Sequence, residues 1–409
     1  MGKFLYLCPE AAARGGGCQS NKVSMLFSLA LILFLAGVAA DWIHIRRHKR
    51  RQRPIGRWRM GWMMATDLLP VVIMAISLLS RDNGTRQMAV GMWLLWAWIA
   101  TVAPRMACYL FRVVGLRRTG YVAAGLLTLL FLWGATRGRT RLHVSRVEVI
   151  SDRIPEAFDG FRIVQISDLH VGTLVNPDRE LQRLADSINA LHPDAVFFTG
   201  DLVNIRASEL DARMMQRLQR INGPVWSVIG NHDLGSYIKD SLHHPMEENL
   251  REVIARQQAM GWTVLQDTTV YLHRGTDSIA LTGLGFDPAL RKQRHDRHLP
   301  APNLAEVFEG VPASLYSIVL VHIPQLWEQI IATGHGDMTL SGHVHSMQMK
   351  LRPWGRGWSP ASWLYTRWSG RYDEGRHTLY INDGIGYVAY PMRLGAWPEI
   401  TLITLKRCA

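Results

Sequence analysis

The sequence predicts an α/β (α+β) fold of two β-sheets flanked by helices, preceded by an all-α transmembrane region of about four helices. Long apolar stretches crowd into the first third of the 409 residues, and the remainder alternates like a soluble chain. In that remainder short β-branched runs take turns with amphipathic stretches, the order from which α/β layers are built. Several of the runs end in Asp, Asn or His, and strand C-termini are where such folds place their sites.

A chain of this length exceeds one average domain. The expected organisation is a polar N-terminal leader over 1–24, a transmembrane region over 25–140 and a soluble domain over 141–409. No internal repeat is visible.

The apolar stretches run from Met25 to Ala40, Gly61 to Leu79, Met88 to about Leu110 and Tyr121 to Trp133. A crossing helix needs roughly 20 apolar residues. The second and third comply, while the first and fourth must borrow Trp42, Ile43, Thr119 or Gly134 at their ends. The first reads as an anchor rather than a signal peptide, because further spans follow it. Met25, just before that span, is an alternative start. Few buried charges are expected in the spans, with Asp67 the main one, which weighs against transport.

The net charge is +13, from 46 Lys+Arg against 33 Asp+Glu. Much of the excess forms the block Arg46-Arg47-His48-Lys49-Arg50-Arg51-Gln52-Arg53 between two apolar spans. That position marks a topology signal rather than a nucleic-acid footprint. The loop from Arg46 to Arg59 carries eight Lys/Arg and belongs in the cytoplasm by the positive-inside rule. Four crossings then put the domain after residue 140 on the outer, periplasmic face of a multi-pass inner-membrane protein; Arg137, Arg139 and Arg141 pull mildly the other way. Cys8, Cys18, Cys108 and Cys408 form no CxxC pair, so a zinc-finger or redox role is unsupported.

From residue 141 the expected elements follow in order. Leu142 to Ile150 and Phe161 to Ile166 read as strands, Asp178 to Ala190 as a helix, and Asp194 to Phe198 as a strand. A helix through Met214 and Leu218 leads to the strand Val225 to Ile229. After a helix from Met246 to Met260, short segments at Thr263–Leu265, Val270–His273 and Ile279–Leu284 suggest a second, more antiparallel sheet. Ser317 to Val321, Met338 to Leu340, Thr378 to Ile381 and Glu399 to Leu405 complete the strands.

The polar groups at strand ends are Asp168, His170, Asp201, Asn231, His322, His343 and His345. Singly, Gly-Asp and Gly-Asn-His-Asp are common turns. Together they are competent ligands for a borderline divalent metal, with imidazoles that suit Zn, Fe, Mn or Ni and oxygens that suit Mn or Mg. Two cations about 3.5–4 Å apart need a shared group, and a carboxylate bridges well. Without cysteines, a closed structural zinc site is excluded here.

The order Asp168-Leu169-His170, Gly200-Asp201, Gly230-Asn231-His232-Asp233, an isolated His322, then Gly342-His343-Val344-His345 resembles the calcineurin-like metallophosphoesterase superfamily. The likeness covers roughly 143–407, and the prefix of spans together with Gly384-Ile385-Gly386, Pro391-Met392-Arg393-Leu394-Gly395 and Pro398-Glu399-Ile400 resembles its bacterial membrane-anchored branch. The resemblance implies a sandwich of two mixed β-sheets flanked by helices. It implies two divalent metal ions, the first held by Asp168, His170, Asp201 and His345, the second by Asn231, His322 and His343, with Asp201 bridging. His232 would serve the leaving group, and Asp233 or Asp168 would orient it. The implied activity is phosphodiester or pyrophosphate hydrolysis by metal-activated hydroxide, on a phosphate-ester substrate of the lipid-linked or cell-envelope kind. Alternatives are a cytoplasm-facing pyrophosphatase of a nucleotide-linked lipid precursor, and a transporter or sensor with a degenerate hydrolase domain. One departure concerns the last motif, which continues Ser346-Met347-Gln348 where this branch often has Gly-Gly-Gln.

Finally, 352–371 interleaves Trp354, Trp358, Trp363, Tyr365 and Trp368 with Arg352, Arg356, Arg367 and Arg371. Such a mixture suits a membrane interface, which makes membrane lipids the expected partner. A plainly packed loop is an equal alternative, base stacking on nucleic acid is the weaker rival, and no nucleic-acid partner is expected.

Overall fold

The structure, a computed structural model, describes residues 15–50, 55–80, 82–240, 242–286, 303–352 and 357–408, with backbone alone at 15–30, 33 and 48. It divides into two compact units, Met1–Leu132 and Trp133–Ala409.

The first unit is helical: α1 (Gly15–Arg50), α2 (Arg57–Asp67), α3 (Leu69–Leu79), α4 (Thr85–Val113) and the greater part of α5 (Arg117–Thr136). The expected leader is not separate along its described part, since 15–24 are the first turns of α1; 1–14 lie outside the described residues. Two helices among the described residues are long and apolar enough to cross a membrane, Thr85–Val113 and Arg117–Thr140, and a third crossing arises if α2 and α3 form one bent span. The stretch read as one helix, Gly61 to Leu79, is thus broken, with a 40° bend. Its cause is local. Pro70 stands in the first turn of α3 and supplies no N–H to a continuing ladder.

The expectation of few buried charges in this unit is corrected. Asp67 pairs with Arg105, Arg105 Nε lies 3.3 Å from Asp41, and the Tyr109 hydroxyl donates to Asp41 at 2.8 Å. His44 stacks on Tyr109 with centroids 4.2 Å apart. A polar thread therefore joins α1, α2 and α4, which fits helices packing through shared polar groups in lipid.

The second unit holds β1 (His143–Ser151), β2 (Arg162–Ile166), α6 (Pro177–Asn189), β3 (Ala195–Phe198), α7 (Ala212–Leu218), β4 (Val225–Ser227), α8 (Met246–Ala259), β5 (Thr263–Val264), β6 (Thr268–Arg274), β7 (Asp277–Gly283), α9 (Leu304–Val307), β8 (Ser317–Leu320), α10 (Trp327–Ala332), β9 (Met338–Ser341), β10 (Gly370–Glu374), β11 (His377–Ile381) and β12 (Glu399–Arg407). Two six-stranded sheets result, in the orders β1-β12-β2-β3-β4-β5 and β10-β11-β9-β8-β7-β6. Both are mixed. In the first, only β12 and β2 run antiparallel; in the second, the outer pairs β6–β7 and β10–β11 do, around a parallel centre of β7, β8, β9 and β11.

Between the sheets lies an apolar layer that includes Ile163, Phe197, Leu281, Ile318, Leu340 and Ile403. The other face of the first sheet packs on helices through Leu181, Leu184, Ile188 and Val253. Helix α6 starts where Asn176 accepts from the Arg179 N–H and Pro177 supplies the preset first turn. Burial on both faces explains the continuous apolar runs Ala195–Phe198 in β3 and Ile318–Leu320 in β8.

Candidate metal centre

Strands β2, β3 and β4 are parallel neighbours in one sheet, as β8 and β9 are in the other, so their C-terminal ends fall together. All seven expected ligands occupy those ends and converge. Asp168 Oδ1 lies 3.0 Å from His345 Nε2 and 3.8 Å from His170 Nε2. The Nε2 atoms of His170 and His345 are 3.2 Å apart. On the other side, His322 Nε2 is 3.1 Å from Asn231 Oδ1 and 3.2 Å from His343 Nδ1.

Asp201 stands between the two groups. Its Oδ2 is 3.7 Å from His170 Nε2 and 3.2 Å from His322 Nε2. Its Oδ1 is turned away and accepts the His232 N–H at 2.8 Å. One carboxylate oxygen therefore faces both clusters.

Burial governs the electrostatics. Burial pushes the Asp168 carboxyl up, but His345 and His322 outweigh it and hold the group below the ordinary carboxylate range. Asp201 follows the same pattern, with His322 and His232 prevailing over burial. Burial and the neighbouring His322 bring His343 down to about 3, leaving a neutral ring. His322 behaves oppositely: burial would lower it, yet Asp201 raises it to about 9.

The backbone also carries the site. Asp168, His170, Asp201, His343 and His345 all have left-handed φ, from 41° to 71°. L-residues with side chains seldom adopt that region, and its clustering at one site is a store of strain. Close approach explains the glycine before His343: a Cβ on Gly342 would run into Ser167 Oγ and the Asp168 carboxylate.

His232 and Asp233 divide differently from expectation. The His232 Nδ1 faces the Asn204 carbonyl at 2.5 Å, so neither Asp233 nor Asp168 orients the ring. Asp233 is fully buried and accepts from the backbone N–H groups of Asp201, Leu202, Val203 and Gly230. A carboxylate so placed ties the β3 and β4 loops together. Burial and Asp201 raise it to about 7 against those four bonds.

Sequence reasoning missed Tyr237 and left Arg393 without a role. Tyr237 stacks on His232 with centroids 4.3 Å apart, and its hydroxyl accepts from the Asn231 amide at 2.9 Å, which turns Asn231 Oδ1 toward His322. Arg393 is fully buried, donates to the carbonyls of Asp383, Gly386 and Ala396, and lies 3.2 Å from His345 Nδ1. Both act through fold-dependent neighbours that no spacing rule reveals. The departure at Ser346-Met347 also gains a physical meaning, since both have positive φ, as Gln348 does, and glycine would enter that region without strain. Hydrogen bonds hold them instead: Ser346 Oγ to Asp383 at 2.5 Å, and Gln348 to the carbonyls of Tyr390 and Met392.

The donor set fits a divalent cation. Imidazole, carboxylate and amide oxygen with no thiolate suit a borderline metal. Facing ring nitrogens 3.2 Å apart, as in His170–His345 and His322–His343, cannot satisfy each other when neither carries a proton between them. Two nitrogens about 2.0–2.1 Å from one ion stand at about that separation.

Fold and site together define a metal-dependent phosphoric ester hydrolase. A model of the calcineurin-like phosphoesterase family matches residues 161–347. The chain is 30% identical over 299 residues to YkuE, an uncharacterized metallophosphoesterase of Bacillus subtilis, spanning 70% of this chain and 94% of that protein. It is 25% identical over 308 residues to LpxG, a UDP-2,3-diacylglucosamine pyrophosphatase of Chlamydia muridarum, across 66% and 90% of the two chains. A zebrafish (Danio rerio) transmembrane protein with a metallophosphoesterase domain is 27% identical over 295 residues, 71% of this chain and 63% of the relative. This chain belongs to the calcineurin-like phosphoesterase family, and with its long apolar helices it is a membrane protein.

The tryptophan-rich stretch divides in two. Tyr365 and Trp368 pack on a small buried cluster around Trp327, and Arg367 and Arg371 pair with Glu328 and Asp373. Trp358 and Trp363 contact each other edge-on and face outward, Trp363 being 73% exposed. Trp354 and Arg356 lie outside the described residues.

Proposed function

We propose that this protein hydrolyses the pyrophosphate or phosphodiester bond of a lipid-linked substrate with two divalent cations. The cations are Mn, Fe, Zn, Ni or Mg, held by Asp168, His170 and His345 on one side and Asn231, His322 and His343 on the other. The observation that carries this reading is the single Asp201 oxygen facing both clusters. When bound, such cations supply positive charge to phosphate oxygens and lower the pKa of a water.

The chain's own residues supply the rest. With Nδ1 directed at the Asn204 carbonyl, His232 keeps Nε2 for the substrate. Burial lowers this ring's pKa, so an anionic phosphate beside it favours the imidazolium. His232 then gives its Nε2 proton to the departing oxygen. Tyr237 limits the motion of both His232 and Asn231.

Relatives named as UDP-2,3-diacylglucosamine pyrophosphatases favour a nucleotide-linked lipid as substrate. A uridine nucleotide is a cytoplasmic metabolite, which opposes the outward face drawn from the basic loop. A reporter fused to the C-terminus decides between the faces. Hydrolysis of an aryl phosphodiester with Mn²⁺ tests the chemistry: Asp201→Asn and His232→Ala are expected to lose activity by about two orders of magnitude or more. Activity indifferent to chelator and to both substitutions refutes the reading. Release of UMP from UDP-2,3-diacylglucosamine tests the substrate.

A further inference from the structure

At one end of the helical unit the C-termini of α1 and α4 meet the N-terminus of α2. His44 lies there almost fully buried, and two guanidiniums approach the same ring nitrogen: Arg59 Nη2 at 3.2 Å and Arg112 Nη1 at 3.5 Å from His44 Nε2. One lone pair cannot serve two cationic donors well, and two like charges are held close together around it. The nearest carboxylate, Asp41, is engaged by Arg105 and the Tyr109 hydroxyl. The sequence has no Asp or Glu from Trp42 through Thr66, nor from Met106 through Val147, whereas Arg46, Arg47, Lys49, Arg50, Arg57, Arg117 and Arg118 crowd the same end.

We propose that Arg59, His44 and Arg112 form a binding site for the phosphate of an anionic phospholipid headgroup. Guanidiniums bind phosphate through paired, charge-assisted hydrogen bonds. The start of α2 adds the positive end of a helix dipole. Basic pockets among membrane helices are suited to lipid headgroups. A lipid rather than a free phosphate is the occupant because the rim is aromatic and apolar: Trp42, Trp58, Trp62 and Tyr121 are 52%, 94%, 62% and 58% exposed. Rings of that kind belong at headgroup level, where acyl chains lie beside them. Behind the site the stacked Tyr109 and its bond to Asp41 hold His44 in place.

The test uses the full chain in phosphatidylcholine nanodiscs with or without phosphatidylglycerol, read by thermal unfolding and by native mass spectrometry of retained lipid. Wild type is expected to retain phosphatidylglycerol in preference to phosphatidylcholine and to melt several degrees higher in its presence. Arg59→Gln combined with Arg112→Gln is expected to lose both effects. Arg117→Gln with Arg118→Gln removes equal charge from the same end and is expected to keep them. Thermal unfolding in phosphatidylcholine alone, unchanged in both double variants, reports that each is folded. The proposal is overturned if wild type shows no headgroup preference, or if Arg59→Gln/Arg112→Gln retains it. It is also overturned if both double variants lose it equally, or if inorganic phosphate alone gives the same stabilisation in phosphatidylcholine.

Discussion

Asp201 and Tyr237 show how much a single atom's direction decides. Asp201 is engaged on both sides because the His232 N–H occupies Oδ1 and leaves Oδ2 to the imidazoles. Tyr237 does the equivalent for Asn231, whose amide is held by the hydroxyl so that oxygen faces inward. Tyr237→Phe keeps the ring stacked on His232 and releases the amide. Its expected effect is a metal requirement raised about 10-fold or more, the usual cost of losing a ligand's supporting hydrogen bond. A Mn²⁺ titration of activity checks this; an unchanged half-saturating concentration goes against it. His322 adds a pH dependence. Raised to about 9 by Asp201, the metal-free ring holds a proton at neutral pH that must leave before it can act as a ligand. Proton and cation therefore compete below about pH 9, and affinity is expected to rise up to about tenfold between about pH 7 and about pH 8. The sign for folding is opposite. This raised histidine stabilises the metal-free fold fully below its unfolded value of 6.5 and loses that contribution as pH climbs toward 9. Calorimetric titration with Mn²⁺ at the two pH values measures the first effect.

At the scale of elements, the sequence made the strands legible because burial on both faces leaves mostly apolar runs, each ending abruptly in polar ligands. Asp168 and Asp201 could be found that way, since a run of Ile, Val or Phe gives way to them within a few residues, whereas His343 is marked by the pair Gly342-His343-Val344-His345. The parallel centre of the second sheet was not legible: β8 and β9 are short, and no period distinguishes the pairing direction of β7, β8 and β9. The break between α2 and α3 was hidden inside an apolar stretch whose only marks are Asp67 and Pro70. Asp233 was misread because its partners are backbone N–H groups of a different loop, brought near only by the fold. Gly342 tests how tightly the strand ends are packed. Gly342→Ala would press a methyl on Ser167 and Asp168 and is expected to cost about 1–3 kcal/mol. Urea unfolding measures that loss, and a variant as stable as wild type would show that the β9 end can yield.

Taken whole, the molecule joins a helical membrane unit to a hydrolase unit of two sheets, and each holds a polar centre of its own. The outward-facing pair Trp358 and Trp363 gives the hydrolase unit a surface suited to lipid. Replacing both by Ala is expected to reduce hydrolysis of a phosphate ester embedded in vesicles several-fold while leaving a soluble aryl ester untouched. Equal losses on both substrates would assign the pair to folding instead.

The left-handed backbone at five of the expected ligands bears on the life of the protein in a cell. Such conformations cost of order 1–3 kcal/mol each, and they persist only where surrounding interactions hold them. Cations bound to those side chains would add to that hold, and binding to the native state alone shifts the folding equilibrium. Metal supply then becomes a determinant of abundance, because a chain left empty opens more often to proteases. In cells starved of transition metals the amount of this protein is expected to fall along with its activity. Quantitative immunoblotting before and after metal is restored, with new synthesis blocked, separates that outcome from simple loss of catalysis.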